Sequence, residues 1–334
     1  MTTSDPSPAD ARPEEKPAAG GLEAVLASPR GFCAGVDRAI EIVDRALELY
    51  GPPVYVLHEI VHNRHVLEDF RARGVHFVEE LDEIPAGSVT VFSAHGVAEA
   101  VEVAGRERNL RVIDATCPLV TKVHLQAQRY ERKEQELILI GHLGHPEIEG
   151  TRGRVQGKVH VLSTPEEVEA LEVDDPERLA YVTQTTLSVD DTRDVIEALR
   201  ARFPHIEGPN LEDICYATQN RQNAVKELAS EVDLLLVVGS PNSSNSNRLV
   251  ELGSRRGLPA HLIDSADDVK PEWFTDGPRV GVTAGASAPE ALVKLVLDRL
   301  AEFGVTRVRE MDGEPENVVF SLPQELRPGT SFKP

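Results

Sequence analysis

Short apolar strands alternate with amphipathic helices along almost the whole chain. The first clear helix follows Cys33, where apolar residues recur every three or four positions from Val36 to Tyr50, and Gly51-Pro52 ends it. Segments such as VYVLHEI and SVTVFS have the β-branched and aromatic content of strands, and a last long helix spans Pro289 to Phe303. Strands interleaved with helices are typical of parallel α/β units, in which helices cover the faces of an open sheet. The sequence therefore predicts an α/β fold.

Three cysteines divide this alternating pattern into three parts. They are Cys33, Cys117 and Cys215, which are 84 and 98 residues apart. A polar turn follows each cysteine 28 or 29 residues later, at His62, His145 and Ser244. A second polar turn, at the end of a later strand, follows 62 to 72 residues after each cysteine, at His95, Thr185 and Ser287. The order of cysteine, helix, strand and polar turns thus recurs three times, without close sequence identity between the parts.

This recurrence predicts a three-lobed molecule. We expect three open α/β units related by a pseudo-threefold axis, at residues 22–116, 117–213 and 214–304. Residues 1–21 are rich in Pro, Ala, Asp and Glu, which is typical of a disordered tail, and residues 305–334 form a C-terminal closing segment. In open parallel sheets ligands bind beyond the carboxyl ends of the strands. The polar turns and the cysteines should therefore meet at one centre between the units.

The charge balance limits the partners of this chain. It has 35 Lys and Arg against 56 Asp and Glu, a formal net charge of −21. So acidic a surface repels nucleic acid and anionic lipid, which argues against a nucleic-acid-binding or membrane-surface protein. The sequence also contains no secretory signal and no apolar stretch of membrane-spanning length. Three widely spaced cysteines do not suggest a disulfide framework, which favours a reducing, cytoplasmic setting.

The cysteines could hold a metal centre. A lone cysteine in an α/β protein is most often a small buried hydrophobe. Each of these, however, lies at a strand-to-helix junction, where a helix N-terminus lowers the pKa of a thiol. Three thiolates at one centre suit either zinc with a fourth ligand or an iron–sulfur cluster. Structural zinc usually draws on C-x-x-C pairs, which are missing here, so a ligand set from three distant segments fits a 4Fe-4S cluster with one open iron.

The polar turns have the chemistry of a phosphate site. NSSNS, which contains Ser243, Ser244 and Asn245, and AGAS, which contains Ser287, supply hydroxyls, amides and backbone N–H groups before helices. His62, His95 and His145 add further donors. Such residues are individually common as caps or core polar groups, so the argument depends on their recurrence. Glu147 is the one carboxylate inside such a turn, in GHPE, and burial would raise its pKa toward that of a proton donor.

Two other motifs do not carry the chemistry that they suggest. His58 to His62 reads HEIVH, which matches the H-E-x-x-H zinc-protease pattern. That pattern needs one continuous helix, whereas the surrounding PVYVLHEI has strand composition. GRVQGK, at residues 153–158, has three residues between its glycines where a P-loop has four, and no G-x-G-x-x-G fingerprint occurs. The sequence gives no support for a nucleotide cofactor.

The chain resembles the 4-hydroxy-3-methylbut-2-enyl diphosphate reductases of the non-mevalonate isoprenoid pathway. The resemblance runs from about Leu22 to the end of the final helix and is specific, because many long motifs occur in order. These motifs are SPRGFCAGVDRAI, HEIVHNRHV, FSAHGV, DATCPLVTKVH, GHPEIEGT, TQTTLSVDDT, DICYATQNRQ, GSPNSSNSNRL and VTAGASAP. The N-terminal tail and the C-terminal end lie outside them.

The resemblance implies an iron–sulfur oxidoreductase with one 4Fe-4S cluster per chain, held by Cys33, Cys117 and Cys215. It implies reductive removal of an allylic hydroxyl, which gives isopentenyl and dimethylallyl diphosphate, with ferredoxin or flavodoxin as electron donor. Glu147 would relay protons, and Thr185 would lie beside the hydroxyl-bearing carbon. The residues implied in diphosphate binding are His62, His95, His145, Ser243, Ser244, Asn245 and Ser287.

Two other functions compete with this expectation. One is a zinc hydrolase that uses HEIVH or the three thiols, and its metal would be zinc at one per chain without visible absorbance. The other is a cluster-containing redox sensor, which would respond to oxygen but would not consume an allylic diphosphate.

Overall fold

The computed structural model describes residues 22–209, 214–313 and 315–327. The predicted tail at residues 1–21 lies outside this range. The strands of the described residues are β1 (Leu22–Leu26), β2 (Val54–Leu57), β3 (Val75–Val78), β4 (Val89–Phe92), β5 (Arg111–Asp114), β6 (Glu136–Ile140), β7 (Val159–Leu162), β8 (Leu179–Thr183), β9 (Leu234–Val238), β10 (Ala260–Ile263), β11 (Val280–Ala284) and β12 (Val305–Glu310). The helices are α1 (Ala34–Tyr50), α2 (Arg64–Ala72), α3 (Glu99–Glu107), α4 (Pro118–Arg132), α5 (Pro146–Arg152), α6 (Pro165–Ala170), α7 (Val189–Arg202), α8 (Tyr216–Leu228), α9 (Ser244–Arg255) and α10 (Glu290–Glu302).

These strands form three separate parallel sheets. Their orders are β3-β2-β4-β5, β7-β6-β8 and β10-β9-β11-β1-β12. Strands β8, β9 and β11 are buried along their whole length, as expected for parallel strands with helices on both faces. We call the three sheets with their helices the first, second and third lobes, in that order. The predicted three-lobed α/β fold is confirmed.

The first strand differs from expectation in its partner. The predicted boundaries place Leu22–Leu26 in the first unit, but β1 pairs with β11 and β12 of the third lobe. Apolar periodicity identifies a strand without specifying the sheet that receives it, and Ala24 and Val25 are fully buried between their neighbours there. The predicted closing segment likewise begins as a regular strand, β12, at the edge of this sheet.

This pairing explains where the cysteines lie. Strand β1 belongs to the third lobe, whereas α1, which follows it, packs its buried face against Val54 and Val56 of the first lobe. In the same way β5 belongs to the first lobe and α4 packs on β6 and β8 of the second. Each cysteine therefore stands where the chain crosses from one lobe to the next.

The C-terminal segment then returns from the third lobe to the first. Its Glu316 pairs with the fully buried Arg221 of α8, at 3.1 Å between Oε1 and Nη1. Further along, the carbonyl of Ser321 accepts a hydrogen bond from Arg38 of α1, and Leu326 is fully buried in the core of the first lobe. In the described part of the chain, none of the helices is both long enough and apolar enough to cross a membrane.

Candidate active site between the three lobes

The three cysteines meet in one cavity at the centre of the molecule. Cys33, Cys117 and Cys215 each immediately precede a helix, α1, α4 and α8, and all three line the same cavity. The cavity holds about 720 Å³ of empty space, part of it open to solvent. A Cβ added at Gly35 would lie 2.8 Å from Sγ of Cys117 and 3.8 Å from Sγ of Cys33. Only glycine leaves room for the two sulfurs to approach this helix turn.

The thiol pKa values differ from the sequence-based expectation. Burial raises the pKa of Cys117 to about 11 and that of Cys215 to about 12, and it also raises the pKa of Cys33. Backbone N–H groups of the following helices act in the opposite direction, as predicted. The expectation of lowered values is wrong for the protein without metal, because desolvation of the thiolate outweighs the helix N-termini.

This donor set fits an iron–sulfur cluster. It consists of three soft sulfur ligands, one from each lobe crossing, and metal binding deprotonates such thiols. Among the described residues, no three His, Cys, Asp or Glu side chains are grouped so as to hold a single metal ion. A 4Fe-4S cluster asks for a different arrangement, because each thiolate binds a separate iron.

Three histidines form the next part of the wall. His62 follows β2, His95 follows β4, and His145 caps the N-terminus of α5. The rings of His62 and His95 stack with centroids 4.1 Å apart, and His145 meets them edge-on at 5.6 and 6.0 Å. Burial lowers the pKa of His145 to about 4 and holds that of His95 well below its usual value. Both rings are therefore neutral at pH 7, as a cradle of neutral donors requires.

The third lobe contributes the small polar side chains predicted from NSSNS and AGAS. Ser243 caps α9, where its hydroxyl accepts a hydrogen bond from the N–H of Ser246, and Ser244 and Asn245 start the helix. Asn245 Oδ1 accepts from the N–H of Ala286 at 2.8 Å, which leaves its buried Nδ2 without a partner. Ser287 donates to the carbonyl of His62 at 2.8 Å. These contacts hold the turns of the first and third lobes together.

Glu147 lies on the second lobe and is almost completely buried. Its two carboxylate oxygens accept hydrogen bonds from the N–H and the hydroxyl of Thr185, at 2.6 and 2.9 Å. Burial raises the pKa of Glu147 to about 7, although the two bonds from Thr185 act to lower it. A carboxyl group with this pKa can hold and release a proton near neutral pH.

All the site residues predicted from the sequence line this one cavity: Cys33, Cys117, Cys215, His62, His95, His145, Glu147, Thr185, Ser243, Ser244, Asn245 and Ser287. The prediction missed three others. Thr186 donates to the hydroxyl of Ser244 at 3.2 Å, and it stood in the TQTT turn from which only Thr185 was chosen. Thr218 lies one helical turn after Cys215, and Gly35 was noted only as a turn residue. Helical spacing from the cysteines would have indicated Thr218.

HEIVH lies outside a helix, as predicted. It occupies the turn between β2 and α2, and His58 has a positive φ of 61° that no helix contains. The two histidines therefore do not share a helix face, as the protease motif demands. Glu59 instead contacts His62, whose Nδ1 lies 2.8 Å from its Oε2.

Known proteins share this sequence and fold. The sequence model of the LytB protein family matches residues 24–301. Proteins named 4-hydroxy-3-methylbut-2-enyl diphosphate reductase from Chromohalobacter salexigens and Acinetobacter baumannii are 60% and 58% identical over 310 residues, which cover 92% of this chain and 98% of each relative.

Solved structures agree with this relationship. The E-1-hydroxy-2-methyl-but-2-enyl-4-diphosphate reductase of Plasmodium falciparum superposes with a TM-score of 0.88 at 36% identity, covering 92% of this chain and 97% of that one. A second structure, described as the terminal enzyme of the non-mevalonate pathway, has a TM-score of 0.61 at 34% identity and covers 84% and 99%. With matches over nearly its whole described length, the chain belongs to the LytB protein family.

Proposed function

We propose that this chain is a 4-hydroxy-3-methylbut-2-enyl diphosphate reductase, which catalyses the last step of the non-mevalonate isoprenoid pathway. The substrate's allylic hydroxyl leaves as water, and two electrons and two protons are consumed to form isopentenyl or dimethylallyl diphosphate. The single observation that supports this most is one cavity in which three thiols, a group of neutral phosphate donors and a carboxyl group of pKa about 7 face one another.

Cys33, Cys117 and Cys215 would hold the redox centre. A 4Fe-4S cluster bound there supplies single electrons and one iron without a protein ligand. The cysteines sit at the three lobe crossings, so the cluster would join all three lobes. Ferredoxin or flavodoxin is the electron donor that we propose.

The diphosphate would lie against His62, His95, His145 and the hydroxyl and amide groups of Ser243, Ser244, Asn245 and Ser287. The N-terminus of α9 adds backbone N–H groups, which favour anions. Anchoring this end of a small substrate fixes the position of its other end, which lowers the entropic barrier to reaction.

Glu147 would supply a proton to the leaving hydroxyl. Its neighbour Thr185 keeps the carboxyl group in one orientation through two hydrogen bonds. Below a pH of about 7 the carboxyl group carries the proton that the leaving oxygen needs. The surrounding burial limits access of water, which keeps this proton for the substrate.

The test is purification without air, followed by iron and sulfide analysis and a turnover assay with a reduced viologen dye. We expect about four irons and four sulfides per chain, brown colour and consumption of the allylic diphosphate. Colourless protein with one zinc would instead indicate a hydrolase. A coloured protein that does not consume the diphosphate would indicate a redox sensor.

A further inference from the structure

Glu59 places a carboxylate beside the histidine group of the cavity. Its side chain is 31% exposed, and Oε2 lies 2.8 Å from Nδ1 of His62 and 2.7 Å from Nδ2 of Asn242. Asn242 directly precedes the Ser243 cap of the third lobe, so Glu59 links two lobes. A negative charge at this position repels a diphosphate unless a nearby positive charge offsets it.

The contact with Glu59 determines which nitrogen of His62 can face a ligand. A carboxylate only accepts hydrogen bonds, so Nδ1 of His62 carries a proton. In a neutral ring Nε2 is then an acceptor, which cannot donate to a phosphate oxygen. Nε2 is buried, and within the described part of the chain it has no hydrogen-bond partner. An anion beside His62 therefore requires a second proton on this ring.

The neighbouring groups leave His62 as the ring best placed to take that proton. His95, stacked on it, and His145 have pKa values lowered by burial, so both resist a charge. Burial of Glu59 acts to raise its pKa, but the hydrogen bond from His62, assisted by Asn242 and the charge of Arg71, holds that pKa below its usual value. Glu59 is thus ionised, and it is the carboxylate in contact with this group of rings.

We propose that Glu59 is a positioning residue through which His62 binds the diphosphate as an imidazolium, so that binding is accompanied by uptake of one proton at Nε2. The charge-assisted pair of Glu59 and His62 then places a positive donor in a cradle otherwise made of neutral groups. This proposal rests on the proposed function and specifies how its diphosphate site obtains charge.

The experiment measures binding of inorganic pyrophosphate to the anaerobically purified holoenzyme by calorimetry. Titrations at pH 7.5 in two buffers of different ionisation enthalpy give the number of protons taken up. The proteins compared are the wild type, Glu59→Gln and Asn242→Ala. The last removes the link to the third lobe but keeps the contact between Glu59 and His62. Protonation of pyrophosphate itself is common to all three and cancels in the differences.

We expect Glu59→Gln to take up close to one proton fewer and to bind pyrophosphate about tenfold more weakly or worse, since a charge-assisted hydrogen bond is lost. In turnover, KM should rise while kcat stays within about twofold, because uniform binding is removed. Asn242→Ala should keep the proton uptake of the wild type. Unchanged visible absorbance in both variants would show that the cluster is intact.

Two results overturn the proposal. Equal affinity and equal proton uptake in the wild type and Glu59→Gln would show that Glu59 does not supply the charge. An equal fall in uptake in Asn242→Ala would show that Glu59 acts by joining the lobes. If the wild type neither binds pyrophosphate nor turns over the allylic diphosphate, the proposed function fails as well, which separates the two cases.

Discussion

The carboxylate of Glu147 accepts two hydrogen bonds from a single residue, Thr185, one from the backbone N–H and one from the hydroxyl. The carboxyl group is nearly inaccessible to water, so these two bonds fix both its orientation and its proton affinity. Position and acidity of the proposed proton donor therefore depend on one neighbour, and each can be tested separately.

Glu147→Gln should lose turnover without losing binding. Glutamine keeps an oxygen for the N–H of Thr185 but carries no transferable proton, so we expect kcat to fall by about 100-fold or more. KM and the visible spectrum of the cluster should change little. Glu149→Gln makes the same charge change two residues away, at an exposed position, and should stay within about threefold of the wild type. A similar rate in Glu147→Gln would remove the proton-relay role.

The pH dependence of kcat should show the acidity of Glu147. Because its pKa is raised to about 7, the protonated donor predominates at lower pH and is lost as the pH rises through that value. A bound diphosphate adds negative charge nearby, which can only move this point upward. We therefore expect kcat to decline above pH 7 or somewhat higher, and a profile that declines already between pH 5 and 6 would contradict the assignment.

Thr185→Val should move that decline to higher pH. The hydroxyl of Thr185 lowers the pKa of Glu147, so its removal favours the protonated carboxyl group. The backbone N–H remains, which keeps the carboxyl group in place. Thr185→Ser retains a hydroxyl and should leave the midpoint where it is. The two pH profiles, measured side by side, decide whether the hydroxyl acts on Glu147.

Cys215→Ser should fail to retain a complete cluster. A serine hydroxyl is a harder and far less acidic ligand than a thiol, so one of three attachment points is lost. Iron and sulfide per chain, together with visible absorbance, provide the measurement. A stable cluster with unchanged stoichiometry would show that Cys215 is not a ligand.

Gly35→Ala should disturb the cysteines while preserving the lobes. The added methyl group would lie 2.8 Å from Sγ of Cys117, so the sulfur or the helix must shift. We expect at least half of the iron to be lost, with a far-ultraviolet circular dichroism spectrum like that of the wild type. Gly157→Ala, whose methyl group would meet only Glu131 Oε1 at 3.7 Å, is the matched control. Full iron content in Gly35→Ala would argue against this close approach.

Much of the fold could be predicted from the sequence because periodicity reports local structure directly. The helix after Cys33 was expected from the spacing of Val36, Val43 and similar residues, and α1 has this buried face. The partner of β1 was not predictable in this way. Pairing across more than 250 residues depends on complementary packing that no local pattern records.

The site was predicted to a similar depth. Recurring distances from the cysteines brought His62, Glu147 and Ser287 together, and these residues do line one cavity. The thiol pKa values were predicted in the wrong direction because a sequence shows a helix start but not the depth of burial around it. The role of Gly35 was missed for the same reason, since close approach is a property of two distant segments.

The place of β1 in the third lobe has a consequence for biosynthesis. The segment from Ala24 to Leu26 leaves the ribosome early, but its neighbour β11 begins only at Val280. At about 5 to 20 residues per second, this apolar segment waits on the order of 10 to 50 seconds for its partner. During translation it is an unpaired strand edge, exposed to aggregation and available to chaperones. The third lobe is thus completed only after nearly the whole polypeptide has been synthesised.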